Sequence, residues 1–351
     1  MRVRKTLGTI ASLTAIALAA TGCGSGGEDT SNAGASGGSG GGGKVGVELP
    51  LLTSPFWQAY SAYVPEKAKE LGVDALPAVN ADGKPAQQIT DIQNLLSQGI
   101  KGLVVAPLDS AAIGAALKLA ERKDVPVVSV DVAPEKGKVA MVVRANNVAY
   151  GQKACKFLGD EIKSGKVVQI MGALSSINGR ERSEAFRDCM KQDYPDMEVL
   201  QIPADWESEK AAAGLESLYA QNRDIKGIYM QAGGVYLAPT LQTLKRAGAL
   251  KKAGEKGHIT IISNDGIPQE LDAIRAGTID ATVSQPADTY AQYGLDYLKR
   301  AMAGETFKPG KTDHDSTIVK LPNGNLEDQL PAPLVTKENV DDPALWGNTK
   351  S

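Results

Sequence analysis

From Lys44 onward, short runs of β-branched and other apolar residues alternate with longer segments whose apolar positions recur at helical spacing. That alternation is the pattern of parallel sheets covered by helices. A first series predicts strands over 45–49, 74–79, 102–106 and 126–131, with helices over roughly 55–71, 85–98 and 110–123. A second series predicts strands near 166–171, 197–202, 226–231, 259–264 and 281–284, with helices near 147–164, 179–192, 208–222, 235–248, 267–276 and 287–303. The two series share internal matches. Ile100-Lys101-Gly102-Leu103-Val104-Val105 parallels Ile225-Lys226-Gly227-Ile228-Tyr229-Met230, and the spacing Ser129-x-Asp131-x-x-Pro134 recurs as Ser263-x-Asp265-x-x-Pro268. The expected fold is therefore α/β, with two doubly wound parallel-sheet lobes, 44–145 plus 286–306 and 146–285, followed by a final crossover and extension over 307–351. Three chain crossings form the hinge, expected near 143–147, 284–287 and 304–316.

Upstream of Lys44 the pattern is different. Arg2, Arg4 and Lys5 precede an uncharged apolar run from Leu7 to Ala20 and the small residues Ala20-Thr21-Gly22-Cys23, the layout of an export signal over 1–22. A transmembrane anchor is the competing reading, but the run is short against the ~20 residues needed to span. Cysteine directly after the small residues resembles the bacterial lipoprotein lipobox, which implies a lipidated Cys23 held at the outer face of the cytoplasmic membrane. Ala20 stands where that box more commonly has Leu. Residues 24–43, almost all Gly, Ser and other small residues, cannot bury a core and read as a tether.

Composition narrows the function. A chain of 351 residues with 42% hydrophobic and 23% charged residues has material for two or three folded domains. The net charge of −3 becomes more negative when Arg2, Arg4 and Lys5 leave with the signal, so a basic nucleic-acid footprint is absent. Only two histidines are present, and no nucleophile elbow, P-loop, His-Glu-x-x-His or cysteine cluster occurs, so neither metal, cofactor nor catalysis is expected. With Cys23 used by lipid, Cys155 and Cys189 remain for an oxidising compartment, on helices flanking strand 166–171; a bridge is expected, against two separately buried thiols.

Asp131 and Asp265 each end an apolar strand, where open α/β sheets bind ligands, so facing lobes would place both in one crevice. The alternative is that each caps the following turn. Around them come Ser54-Pro55-Phe56-Trp57, Asn146-Asn147-Val148-x-x-Gly151, Gly179-Arg180-Glu181-Arg182 with Phe186, Pro203-Ala204-Asp205-Trp206, Asn264-Asp265-Gly266 and Ala281-Thr282-Val283-Ser284-Gln285-Pro286. In this order the segments resemble the periplasmic sugar-binding proteins of the ribose/galactose-binding type, with a type I periplasmic-binding fold, over Lys44 to about Lys320. The resemblance implies the solute-binding component of an ABC importer, a monomer that meets permease subunits; presenting ligand to a membrane receptor is the alternative role.

A sugar has C–H faces and a rim of hydroxyls, so its site needs flat aromatics and charged or bidentate partners. Phe56, Trp57 and Trp206 supply faces, Asp131 and Asp265 accept from hydroxyls, Arg180 donates, Gln285 does either, and Ser54 is a lesser contact. Core packing for Phe56 and Trp206, and an ion pair with Glu181 or Glu184 for Arg180, are the plainer readings. Val132 stands where ribose-type members have Arg, and Ala232 follows Gln231 where they have an Asn-Asp pair, so a deoxysugar, sugar alcohol or related compound fits better than free ribose. The tail beyond Leu321 is rich in Pro, Asn and Asp and carries one large anchor, Trp346.

Overall fold

Strands that are apolar throughout must be covered on both faces, and in the computed structural model, which describes residues 43–349, they are. The export signal, Cys23 and nearly all of the tether lie outside the described residues. The first lobe runs β1 (Val45–Leu49), α1 (Pro55–Leu71), β2 (Val79–Asn80), α2 (Pro85–Ser97), β3 (Gly102–Val105), α3 (Gly114–Arg122), β4 (Val127–Val130) and β5 (Met141–Ala145). The second runs α4 (Asn147–Ile162), β6 (Gly165–Met171), α5 (Ile177–Asp193), β7 (Met197–Pro203), α6 (Ser208–Gln221), β8 (Ile225–Met230), α7 (Gly233–Arg246), β9 (Thr260–Asp265), α8 (Pro268–Ala276) and β10 (Ala281–Ser284). The chain then returns through α9 (Ala287–Met302), β11 (Gly310–Lys311), β12 (Thr317–Lys320) and β13 (Leu326–Leu330), and crosses again to β14 (Leu334–Thr336).

The sheets are ordered β11-β12-β13-β5-β4-β3-β1-β2 and β14-β10-β9-β8-β6-β7. Omitting β11 and β12, the two orders are the same pattern, so β3 and β8, and β4 and β9, hold equivalent positions, as the internal sequence matches require. Pairing is parallel from β2 through β13 in the first sheet, and β14 alone runs antiparallel in the second. Helix ends follow local chemistry. Pro55 opens α1, and Gly72 closes it at φ 65°, a left-handed conformation that costs glycine little.

The structure departs from the sequence expectation at several elements. The segment 74–79 gives only an isolated bridge at Ala75 and the short β2 at its end. The third crossing lies at 331–333 instead of 304–316, because β11 to β13 extend the first sheet and delay the return. β5 and β13, not expected as strands, carry buried charge: Arg144 on β5 donates to Glu327 on β13 at 2.6 Å. A disulfide joins Cys155 on α4 to Cys189 on α5.

Candidate functional site

The carboxyl ends of β1, β3, β4, β6, β8 and β9 converge on a cleft between the lobes, a concave place of the kind that holds small molecules in such sheets. Ser54, Phe56 and Trp57 enter from the start of α1, Asp131 from the end of β4, Trp206 from the turn after β7, Asp265 from the end of β9, and Gln285 from the crossing after β10. Seven of the eight side chains expected from sequence thus line one space. Four residues at or beside it hold left-handed backbone, Asp131 (φ 62°), Asp205 (φ 53°), Trp206 (φ 63°) and Asp265 (φ 117°). Such strain gathers where surrounding structure over-determines a functional loop.

Arg180 is the exception. On α5 it points out of the cleft, donating to the Leu174 carbonyl at 2.5 Å and pairing with Glu135 of the opposite lobe. The guanidinium that lines the cleft is Arg182. It donates to Asn147 Oδ1 at 2.5 Å, the Gln231 carbonyl at 2.6 Å and Gln285 Oε1 at 3.1 Å, and it lies over the rings of Tyr150 and Trp206 at 4.9 and 5.9 Å. The signal was helical phase: Asn178, Arg182, Phe186 and Met190 form the buried stripe of α5, and Arg180 is out of step with it. Neither of its helical neighbours Glu181 and Glu184 takes up Arg180.

Asp265 is firmly held. Its Oδ2 accepts from the Gly234 amide at 2.8 Å and its Oδ1 from Gln285 Nε2 at 2.9 Å. Asp131 is less engaged, with Oδ1 buried and without a partner, while its carbonyl accepts from Asn178 Nδ2 of the other lobe at 3.1 Å. Burial pushes both carboxyls above the ordinary carboxylate range, and Arg182 opposes the shift in each. Glu270 beneath Asp265 is raised by burial and by that neighbour's charge; its Oε2 accepts from the amides of Gly266 and Ile267, which fixes the turn after β9.

The aromatic wall is also core. Phe56 and Trp57 meet edge to face at 5.1 Å, and Phe56 packs likewise on Tyr290 at 6.1 Å. Trp206 lies parallel to Tyr236, and a side chain at Gly172 would overlap its ring. Val132 and Ala232 line the cleft and bring no side-chain donor.

The lobes meet around this space. Ile177 N donates to Ser110 Oγ at 2.9 Å, Arg144 reaches Asn178 Oδ1 at 2.8 Å and Glu181 Oε2 at 2.8 Å, and a Cβ on Gly234 would collide with Ser54 Oγ. At the hinge, the Ala145 amide of one crossing donates to Tyr290 Oη at 2.8 Å, and Tyr290 lies 3.4 Å from Gln285 Oε1 in the next. Among the described residues, no group of acidic, His and Cys side chains is arranged to hold a metal ion, and no helix is long and apolar enough to cross a membrane.

Known proteins resemble this chain over the same span. The ribose import binding protein of Haemophilus influenzae is 28% identical over 263 residues, covering 74% of this chain and 86% of that protein. The xylitol-binding protein of Mycolicibacterium smegmatis is 25% identical and covers 97% of this chain and 88% of its own length. In the fold, an ABC transporter solute-binding protein from Mycobacterium smegmatis solved with glycerol superimposes with a TM-score of 0.74 at 23% identity, over 86% of this chain and 96% of that one. The periplasmic binding protein domain matches residues 45–306, and with its paired sheets and interlobe cleft the chain belongs to that family.

Proposed function

We propose that this chain captures a small sugar or sugar alcohol outside the cytoplasm by closing its lobes, and presents it to the permease of an ABC importer. The observation that carries the reading is Asp131, whose Oδ1 is buried without a partner where an aromatic wall, a guanidinium and a second carboxylate converge. An unsatisfied buried acceptor costs ~1–3 kcal/mol, and a ligand hydroxyl removes that cost. In this reading Phe56, Trp57 and Trp206 cover the C–H faces, Asp131 and Asp265 accept from hydroxyls, and Arg182 and Gln285 complete the polar rim. Ser54 is a lesser contact. Arg180 leaves the set of ligand contacts and acts with Glu135 at the edge of the closed lobes.

The names of the relatives, which mention ribose and xylitol, agree with a polyhydroxylated ligand. Val132 and Ala232 favour one with fewer hydroxyls than a free pentose or a different outline, because a hydroxyl facing either side chain finds no donor or acceptor there. The chain works as a monomer tethered through a lipidated Cys23, with no cofactor.

A thermal-shift panel of ribose, galactose, their deoxy counterparts, xylitol and other polyols tests this. A ligand at 100 times its Kd adds ~2.7 kcal/mol of stability. A flat response across the panel would overturn the function, and tightest binding to ribose would overturn the preference for fewer hydroxyls. Mass spectrometry of the native protein tests the anchor: the expected amino terminus is an acylated Cys23, and an unmodified chain starting elsewhere rejects it.

A further inference from the structure

The tail passes behind the cleft, and one side chain there touches both halves of the site. After β14, Val340 and Leu345 are buried in the core of the second lobe, whereas the next residue, Trp346, is buried in the core of the first with Phe56 and Tyr290. Trp346 meets Phe56 edge to face at 5.8 Å, and its indole N–H donates to the carbonyl of Asp265 at 3.2 Å. Gly347 packs so closely on the Gly266 carbonyl that no side chain would fit. On either side the segment is tied to opposite lobes. Asn348 Oδ1 accepts from Arg275 of α8 at 2.6 Å, and Thr349 Oγ1 lies 2.9 Å from Tyr63 Oη of α1.

We propose that Trp346 is a positioning residue of the binding site, and that the segment from Leu345 to Thr349 is a fourth connection between the lobes which keeps Phe56 and Asp265 in register. The three strand crossings lie at the hinge, and this segment adds a further tie that bonds to the Asp265 carbonyl while packing on Phe56 of the opposite wall, as Gln285 and Tyr290 do together at the second crossing. Its seating therefore adds to the closed state without touching ligand. Loss of the indole frees the Asp265 turn on one side and Phe56 on the other, so bound ligand escapes sooner. Residues that act through such packing change coupling by ~0.5–2 kcal/mol, or about 2- to 30-fold in affinity.

This inference rests on the proposed ligand class for its affinity readout, and a ligand-free measurement separates the two. Wild type, Trp346→Ala, Trp346→Phe and Tyr63→Phe are compared by stopped-flow binding of ribose and xylitol and by small-angle X-ray scattering without ligand. The expected result for Trp346→Ala is a dissociation rate raised about 2- to 30-fold at unchanged association rate, with a larger ligand-free radius of gyration. Trp346→Phe, which keeps a ring against Phe56 but loses the N–H and part of the ring system, and Tyr63→Phe shift in the same direction by less, and they decide the matter if the alanine variant does not fold. Wild-type dissociation rates and dimensions in the folded variants, with only the melting temperature lowered, would reduce Trp346 to a core plug and overturn the proposal. A wild-type chain that binds neither ribose nor xylitol counts against these compounds as ligands, and the scattering then decides the role of the tail alone.

Discussion

Asp131 and Asp265 stand at equivalent strand ends, yet they differ in what the protein already gives them. Both oxygens of Asp265 have protein donors, whereas Asp131 Oδ1 has none. Asp131→Asn should therefore cost the larger share of affinity, roughly 1.5–3 kcal/mol, the scale of a charged hydrogen bond, with Asp265→Asn also disturbing the turn it shares with Gly234. Calorimetric titration of both variants with the tightest-binding ligand checks this, and wild-type affinity in both would refute a shared crevice. The two arginines of α5 give a sharper contrast. Arg182→Lys loses the fork that holds Asn147, the Gln231 carbonyl and Gln285 together, and should weaken binding at least tenfold, ~1.4 kcal/mol. Arg180→Ala removes a partly exposed ion pair worth ~0–1 kcal/mol and should leave affinity within a few fold.

At the scale of elements, α4 and α5 are held at close range by one helical face. Gly151, Cys155 and Gly159 recur every four residues: a side chain at Gly151 would strike the α5 backbone at Arg182 and Phe186, Cys155 is bonded to Cys189, and a side chain at Gly159 would meet Tyr194. Replacing both cysteines by serine should cost ~2–4 kcal/mol in denaturant unfolding. Gly151→Ala should cost ~1–3 kcal/mol and also weaken ligand binding, since α5 carries Arg182; a stability loss with unchanged affinity would disconnect the two. On the other lobe, Glu48 of β1 is buried against Gln88 of α2, and burial pushes its carboxyl up to about 9. The folded state thus keeps a proton that the unfolded chain releases above its ordinary value of 4.5, and stability falls as pH rises between 4.5 and about 9. Glu48→Gln abolishes that dependence. Its stability relative to wild type should increase through the window by up to ~1.4 kcal/mol per pH unit, and a constant difference would show that Glu48 ionises freely when folded.

For the whole molecule, Arg144 couples the sheet to the closure of the lobes. It is buried between Glu327 of its own sheet and Asn178 and Glu181 of the opposite lobe. Arg144→Met leaves Glu327 as an unpaired buried charge and should destabilise the protein by ~3–5 kcal/mol, whereas adding Glu327→Gln should recover much of the loss. Equal destabilisation in the single and double variants would show that packing around Arg144, not charge, is what matters. Because the same guanidinium reaches α5, the double variant should also remain more open without ligand, which scattering measures.

The apolar runs determined most of the strands and helices, and their internal matches determined that the fold is a repeat with Asp131 and Asp265 at equivalent ends. These features are local: a strand buried on both faces must be apolar, and an aspartate after it needs no distant partner to be recognised. β5 and β13 were not legible, because Met141–Ala145 contains Arg144 and Leu326–Leu330 contains Glu327 and Asp328, charges that a sheet interior accepts only when they are answered. The answer to Arg144 lies 183 residues along the chain, so only the tertiary structure pairs them. The same holds for Arg182 over Arg180, which the turn of α5 against the cleft selected, and for Trp346, an unassigned anchor in the sequence. Its contacts with Phe56 and Asp265 exist because the last crossing at 331–333 sends the tail behind the site, and no local pattern encodes where a chain returns.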